Sequence, residues 1–134
     1  SILLSSREEV GGQGAVTGAF AQEPDEALVV DVSFGTQPGV AEQKSGRLSG
    51  GPMIGVAPSL NHAMTQELAR LARKREIPFQ YEVMGGKIGI SRAGVRCALA
   101  SVPLRNMHTP AEVVDLTDLE NTARLLAEYV KEAR

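Results

Sequence analysis

A chain of 134 residues suits one domain and is long enough to bury a core. Apolar residues make up 43% and charged residues 22%, and a formal charge of −2 leaves no broad basic field, which argues against nucleic acid as a partner. No apolar run approaches the roughly 20 residues that span a bilayer, no charged-then-apolar leader opens the chain, and Cys97 stands alone, so no internal disulfide can form. Together these features point to a cytoplasmic protein without a membrane partner, in which Cys97 reads as a buried, inert thiol.

Ile2-Leu3-Leu4 reads as a short buried strand, followed by the turn Gly11-Gly12-Gln13-Gly14. A domain rarely opens inside a central strand, and no initiator methionine precedes this one, so the chain is expected to be a fragment of something longer. Ala15 to Ala21 is expected to be helical, stopping before Glu23-Pro24-Asp25. The continuous apolar run Ala27-Leu28-Val29-Val30 predicts a strand buried on both faces and ended by Asp31. Phe34 to Pro58 is loop-rich and contains one short strand, Met53–Val56. Asn61 or Thr65 then caps a helix to about Arg75, with Leu68, Leu71 and Ala72 on its buried face.

Phe79 to Val83 alternates like a strand, Ile88 to Ala93 reads as a short helix, and Val95 to Val102 as a strand ended by Pro103. Thr117 or Asp118 is expected to cap the last helix, with Leu119, Thr122, Leu125, Leu126, Tyr129 and Val130 at helical spacing. Strands alternating with helices imply an α/β sheet with helices on its faces.

Reactive groups in such sheets gather at the carboxyl ends of strands. Glu8 and Glu9, Asp31, and His108 each follow an expected strand. Carboxylates and an imidazole converging on a cleft form a ligand set for a divalent metal, with a remaining carboxylate free to act as base on water. Each residue alone has a plainer reading. An adjacent Glu pair is commonly a solvated turn, an Asp after a strand a turn-former, and a His before Thr-Pro a loop residue bonded to backbone. His62 reads as a helix-start or surface histidine.

Longer segments carry a resemblance. Arg7-Glu8-Glu9-Val10-Gly11-Gly12-Gln13-Gly14-Ala15, Val30-Asp31-Val32-Ser33-Phe34, Gly51-Pro52-Met53-Ile54-Gly55, Glu82-Val83-Met84-Gly85-Gly86 and Pro103-Leu104-Arg105-Asn106-Met107-His108-Thr109-Pro110-Ala111-Glu112-Val113-Val114 stand in the same order as in one family. The chain resembles the cocatalytic metal aminopeptidases, a group that includes tetrahedral, glutamyl and deblocking aminopeptidases and proteins labelled cellulase M or endoglucanase.

The resemblance implies that residues 1–134 are the C-terminal part of a peptidase catalytic domain, built on a mixed, zinc-peptidase-like sheet with helices on both faces. It implies Glu8 as general base, and Glu9, Asp31 and His108 as ligands of two divalent metal ions, zinc or cobalt. Asp31 belongs to one ion, and Glu9 and His108 share the other. Peptides are the implied substrates and a homo-oligomer, from dimer to dodecamer, the implied assembly. The family's other histidine ligand, its bridging aspartate and its inserted small β domain belong upstream of the matched segments. The resemblance also implies a loop after the Gly85-Gly86 pair, where Lys87-Ile88-Gly89-Ile90 follows at once.

Two further readings accompany this one. In one, the chain is an inactive folded fragment or a scaffold half lacking a complete metal site; in the other, paired carboxylates serve an endoglucanase-type glycosidase, which needs them about 5–9.5 Å apart.

Overall fold

The structure, a computed structural model, describes residues 1–85 and 94–132. The helix expected over Ile88–Ala93 and the segment that follows Gly85 lie outside the described residues. The α/β class holds. Among the described residues three α-helices, α1 (Gln13–Gln22), α2 (His62–Lys74) and α3 (Leu116–Glu132), accompany strands β1 (Glu26–Phe34), β2 (Met53–Val56), β3 (Gln80–Val83), β4 (Arg96–Arg105) and β5 (Val113–Val114). The strands form one mixed sheet in the order β1-β4-β2-β3, with β5 paired to β4. β1 runs parallel to β4 and β2 to β3, while β2 and β4 are antiparallel.

Three expectations are corrected here. Ile2–Leu4 forms no strand: it pairs with no described strand, Ile2 and Leu4 are 92% exposed, and Leu3 leans on Gly18 of α1. β1 is half-buried rather than covered on both faces, because it has only β4 beside it among the described residues, and Val30, Val32 and Phe34 are exposed. The strand buried on both faces is β4, which lies between β1 and β2. β4 also continues through Pro103 to Arg105. Gly35 N–H donates to the Leu104 carbonyl, so the Pro103 nitrogen faces the other side of the strand. There the β2 pairing has ended at Ser101 and the β5 pairing begins at Leu104, so the missing N–H costs no ladder bond.

α2 forms as expected. Asn61 Oδ1 accepts from Met64 N–H (3.1 Å), His62 is the exposed first residue, and Leu68, Leu71 and Ala72 are buried. α3 is entered one turn earlier than expected, because Asp115 supplies the cap: its Oδ1 accepts from Thr117 N–H at 2.8 Å. Its inward positions are Asp118, Asn121, Thr122, Leu125 and Tyr129, whereas Leu119 and Val130 are exposed. α2 and α3 pack on the sheet face carrying Ile54, Ala98 and Leu28, where Leu68, Leu71 and Leu125 are fully buried. Burying each such side chain contributes about 1.5–3 kcal/mol. The opposite face holds Cys97 and Leu99 under Leu60, with burial pushing the Cys97 thiol up. Among the described residues no helix is long and apolar enough to cross a membrane.

An ionic strap joins α2 to α3. Lys74 and Arg70 both donate to Glu132, which holds its carboxyl below the ordinary glutamate value. A carboxyl lowered in the folded state adds stability that is present above its unfolded value and lost as the pH falls through the folded one. Thermal unfolding followed between pH 6 and pH 3 should therefore show a falling midpoint in the acid range, and Glu132→Gln should flatten that fall by lowering the midpoint at pH 6 while changing little at pH 3. An unchanged acid slope in the variant would remove Glu132 from the account.

Candidate metal centre

Glu8 and Glu9 lie on a tight turn that leads into α1, not behind a strand as expected. Arg7 takes a left-handed backbone (φ 58°), Gly12 N–H donates to the Arg7 carbonyl (2.9 Å), and Gly14 N–H donates to the Ser6 carbonyl (3.0 Å). The turn needs glycine at position 14, since a Cβ there would stand 2.4 Å from the Ser6 carbonyl oxygen. The Ser6 nitrogen, at 2.5 Å, is as close, and both Ser6 atoms belong to backbone, so no flexible side chain can yield. Gly14→Ala should displace the turn and destabilise the protein by about 1–3 kcal/mol, the usual cost of overpacking. Urea unfolding would check this; wild-type stability would show that the turn tolerates the Cβ.

His108 belongs to the turn after β4, three residues beyond Arg105. Its Nε2 lies 3.0 Å from Glu9 Oε1, a contact between residues 99 positions apart in the chain. Both side chains are open to solvent, at 67% for His108 and 73% for Glu9. Asp31 sits inside β1, opposite Ser101, rather than after the strand's end, because the parallel ladder to β4 continues to Phe34. Its Oδ1 accepts from Val32 N–H at 2.7 Å. Asp31 is exposed, as is Glu8.

Glu9 and His108 offer an oxygen and a nitrogen at the spacing of two ligands on one ion. Bond lengths near 2.0–2.2 Å put such donors about 3.3–3.6 Å apart at the tetrahedral angle and about 2.8–3.1 Å apart at a right angle. Among the described residues no group of three or more His, Cys, Asp or Glu is gathered tightly enough to hold a metal, so Asp31 does not join the pair. The structure thus brings together two of the four expected residues. A cavity of about 570 Å³ lies elsewhere, against Ala19, Phe20, Asp25 and Arg96, and contains none of the four.

Sequence reasoning passed over Glu112, whose Oε1 accepts the backbone N–H of His108 at 2.7 Å. Its only sequence signal is an acidic residue four places beyond the histidine. It also passed over Asp118 as anything but a cap, although that carboxylate is fully buried and binds the loop before β2.

Residues 1–125 match the family model of the M42 glutamyl aminopeptidases. The chain belongs to the M42 family. It is 34% identical over 140 residues to the lysyl aminopeptidase of Pyrococcus furiosus, with 99% of this chain and 40% of that protein aligned. Among solved structures, an aminopeptidase of the archaeon Desulfurococcus kamchatkensis superposes with a TM-score of 0.85 at 34% identity, over 96% of this chain and 40% of the other. The Pyrococcus horikoshii TET1 peptidase, described as assembling into a tetrahedron or a large octahedral shell, superposes with a TM-score of 0.76 at 26% identity, over 92% and 38%. This M42 chain therefore spans about 40% of the length of the relatives it matches.

Proposed function

We propose that this chain is the C-terminal part of the catalytic domain of a metal-dependent aminopeptidase that removes N-terminal residues from peptides. The observation that carries the reading is the meeting of Glu9 and His108 across 99 positions, inside a chain matched to the M42 family over residues 1–125. Glu9 and His108 hold one divalent ion of a pair, zinc or cobalt, and Asp31 serves the other, with further donors supplied from outside residues 1–134. The chemistry such ions supply when bound is Lewis acidity toward a carbonyl and a lowered pKa for water.

Glu8 is the general base in this reading. Its carboxylate takes a proton from water as the water oxygen adds to the scissile carbonyl carbon, and returns a proton to the amine as the C–N bond breaks. The Glu8-Glu9 adjacency serves this division of labour, since one turn presents a proton acceptor beside a metal ligand. By likeness to the relatives, the protein forms a homo-oligomer, between a dimer and a dodecamer. It acts in the cytoplasm, in keeping with its lone, buried cysteine.

The test is chelation. Hydrolysis of an aminoacyl-p-nitroanilide by the full-length protein should vanish in excess chelator and return when zinc or cobalt is added. Activity that survives complete metal removal would overturn the reading, and survival on a glucan substrate would transfer the carboxylates to glycosidase chemistry.

A further inference from the structure

The turn that carries His108 is held in an uncommon backbone shape by side chains on both sides of it. Asn106 (φ 58°) and His108 (φ 62°) both occupy the left-handed region that residues other than glycine seldom adopt. Asn106 is fixed through its N–H, which donates to Gln37 Oε1 at 2.7 Å, and through its side-chain amide, which donates to the Ala111 carbonyl at 3.2 Å. Thr109 closes the turn, with its N–H and its hydroxyl both donating to the Asn106 carbonyl (3.1 and 2.7 Å). His108 is held by Glu112 Oε1, which accepts its N–H at 2.7 Å. A hydrogen bond to a carboxylate is about twice as strong as one between neutral groups.

We propose that Glu112 is a positioning residue for the metal centre. By binding the His108 amide it fixes the backbone at that residue and so the direction of its Cα–Cβ bond. That direction sets where Nε2 lies, 3.0 Å from Glu9 Oε1. Glu112 acts through His108 and through the backbone, not on substrate. The proposal rests on the reading of Glu9 and His108 as ligands of one ion.

Glu112→Ala and Glu112→Gln in the full-length protein separate position from charge. Two readouts serve: zinc affinity by competition with a chromophoric chelator, and the ¹H–¹⁵N shift of the His108 amide in the metal-free protein. In Glu112→Ala the amide resonance should move upfield and zinc affinity fall about 10–100-fold, the usual cost of losing a group that orients a ligand. Glu112→Gln keeps the acceptor oxygen and should restore the amide bond and most of the affinity. Wild-type zinc affinity in Glu112→Ala, beside a large loss in His108→Ala, overturns the proposal and leaves the metal reading standing. Wild-type affinity in His108→Ala overturns the metal reading and the proposal with it. Equal losses in both Glu112 variants with an unmoved His108 amide assign the effect to charge and also overturn it.

Discussion

Glu8→Gln should lower kcat on an aminoacyl anilide by about 10²–10⁴-fold, the range general acid–base catalysis supplies, while KM moves little. Glutamine keeps the size and the hydrogen-bonding reach of glutamate but cannot accept the proton that leaves water. Loss of an interaction made only in the transition state reduces kcat and kcat/KM together. Glu8 is exposed on its turn, so the variant should unfold within about 0.5 kcal/mol of wild type. His108→Ala supplies the contrast, since it removes a proposed ligand: it should lose zinc along with activity, whereas Glu8→Gln should bind zinc as wild type does. Wild-type turnover in Glu8→Gln would strip Glu8 of its role and leave the metal assignment untouched.

The largest effect on stability is expected at Asp118. Its carboxylate is fully buried at the first turn of α3 and accepts two backbone hydrogen bonds, from Ser49 N–H at 2.8 Å and from Gly51 N–H at 2.7 Å. Gly51 follows a tight path (φ 79°), and a Cβ there would lie 1.8 Å from the Pro78 carbonyl oxygen, so the loop has no room to find another partner. Removing the carboxylate leaves two N–H groups without an acceptor and opens a cavity. Hydrogen bonds to a charged group contribute about 1.5–3 kcal/mol each, so Asp118→Ala should cost about 3–5 kcal/mol. Asp118→Asn should fall between the two, since it keeps one acceptor but turns an N–H toward an N–H. Urea unfolding would show a lower midpoint at an unchanged slope. A loss below 1 kcal/mol would mean that water satisfies the loop and that Asp118 does not anchor it.

Asp118 also shows where sequence reading stops. At the start of a helix an aspartate reads as a cap, and the cap is Asp115, whose Oδ1 binds Thr117 N–H. What Asp118 does depends on a loop 67 residues away, and nothing within one helix reports that. The opposite case is α2. Its cap, its stop and its buried face all follow from spacing within a single helix: Asn61, one of the two expected caps, stands at the start, Arg75 at the end, and Leu68, Leu71 and Ala72 inside.

Strands lie between these cases. The apolar runs at Ala27–Val30 and Val95–Val102 look alike, yet one is half-buried at an edge and the other is covered on both faces. A strand's burial is decided by its neighbours, which are distant in sequence. For the same reason Asp31 and Pro103, read as strand terminators, lie inside strands: the β1–β4 ladder runs through both. Ile2–Leu4 failed the other way, as an apolar run with no described strand beside it.

The α/β class, the two amphipathic helices and, through a collinear resemblance, kinship with the cocatalytic metal aminopeptidases, with Glu8, Glu9, Asp31 and His108 as candidates, are all legible along the chain. These are properties of local periodicity and of motif order, and both are written along the chain. Only the tertiary structure decided that Glu9 and His108 meet while Asp31 stays apart from them, that β4 rather than β1 is the central strand, and that Glu112 and Asp118 hold loops in place. Each of those facts is a contact between groups whose separation depends on how the chain folds back, with left-handed turns at Arg7, Asn106 and His108 directing the approach.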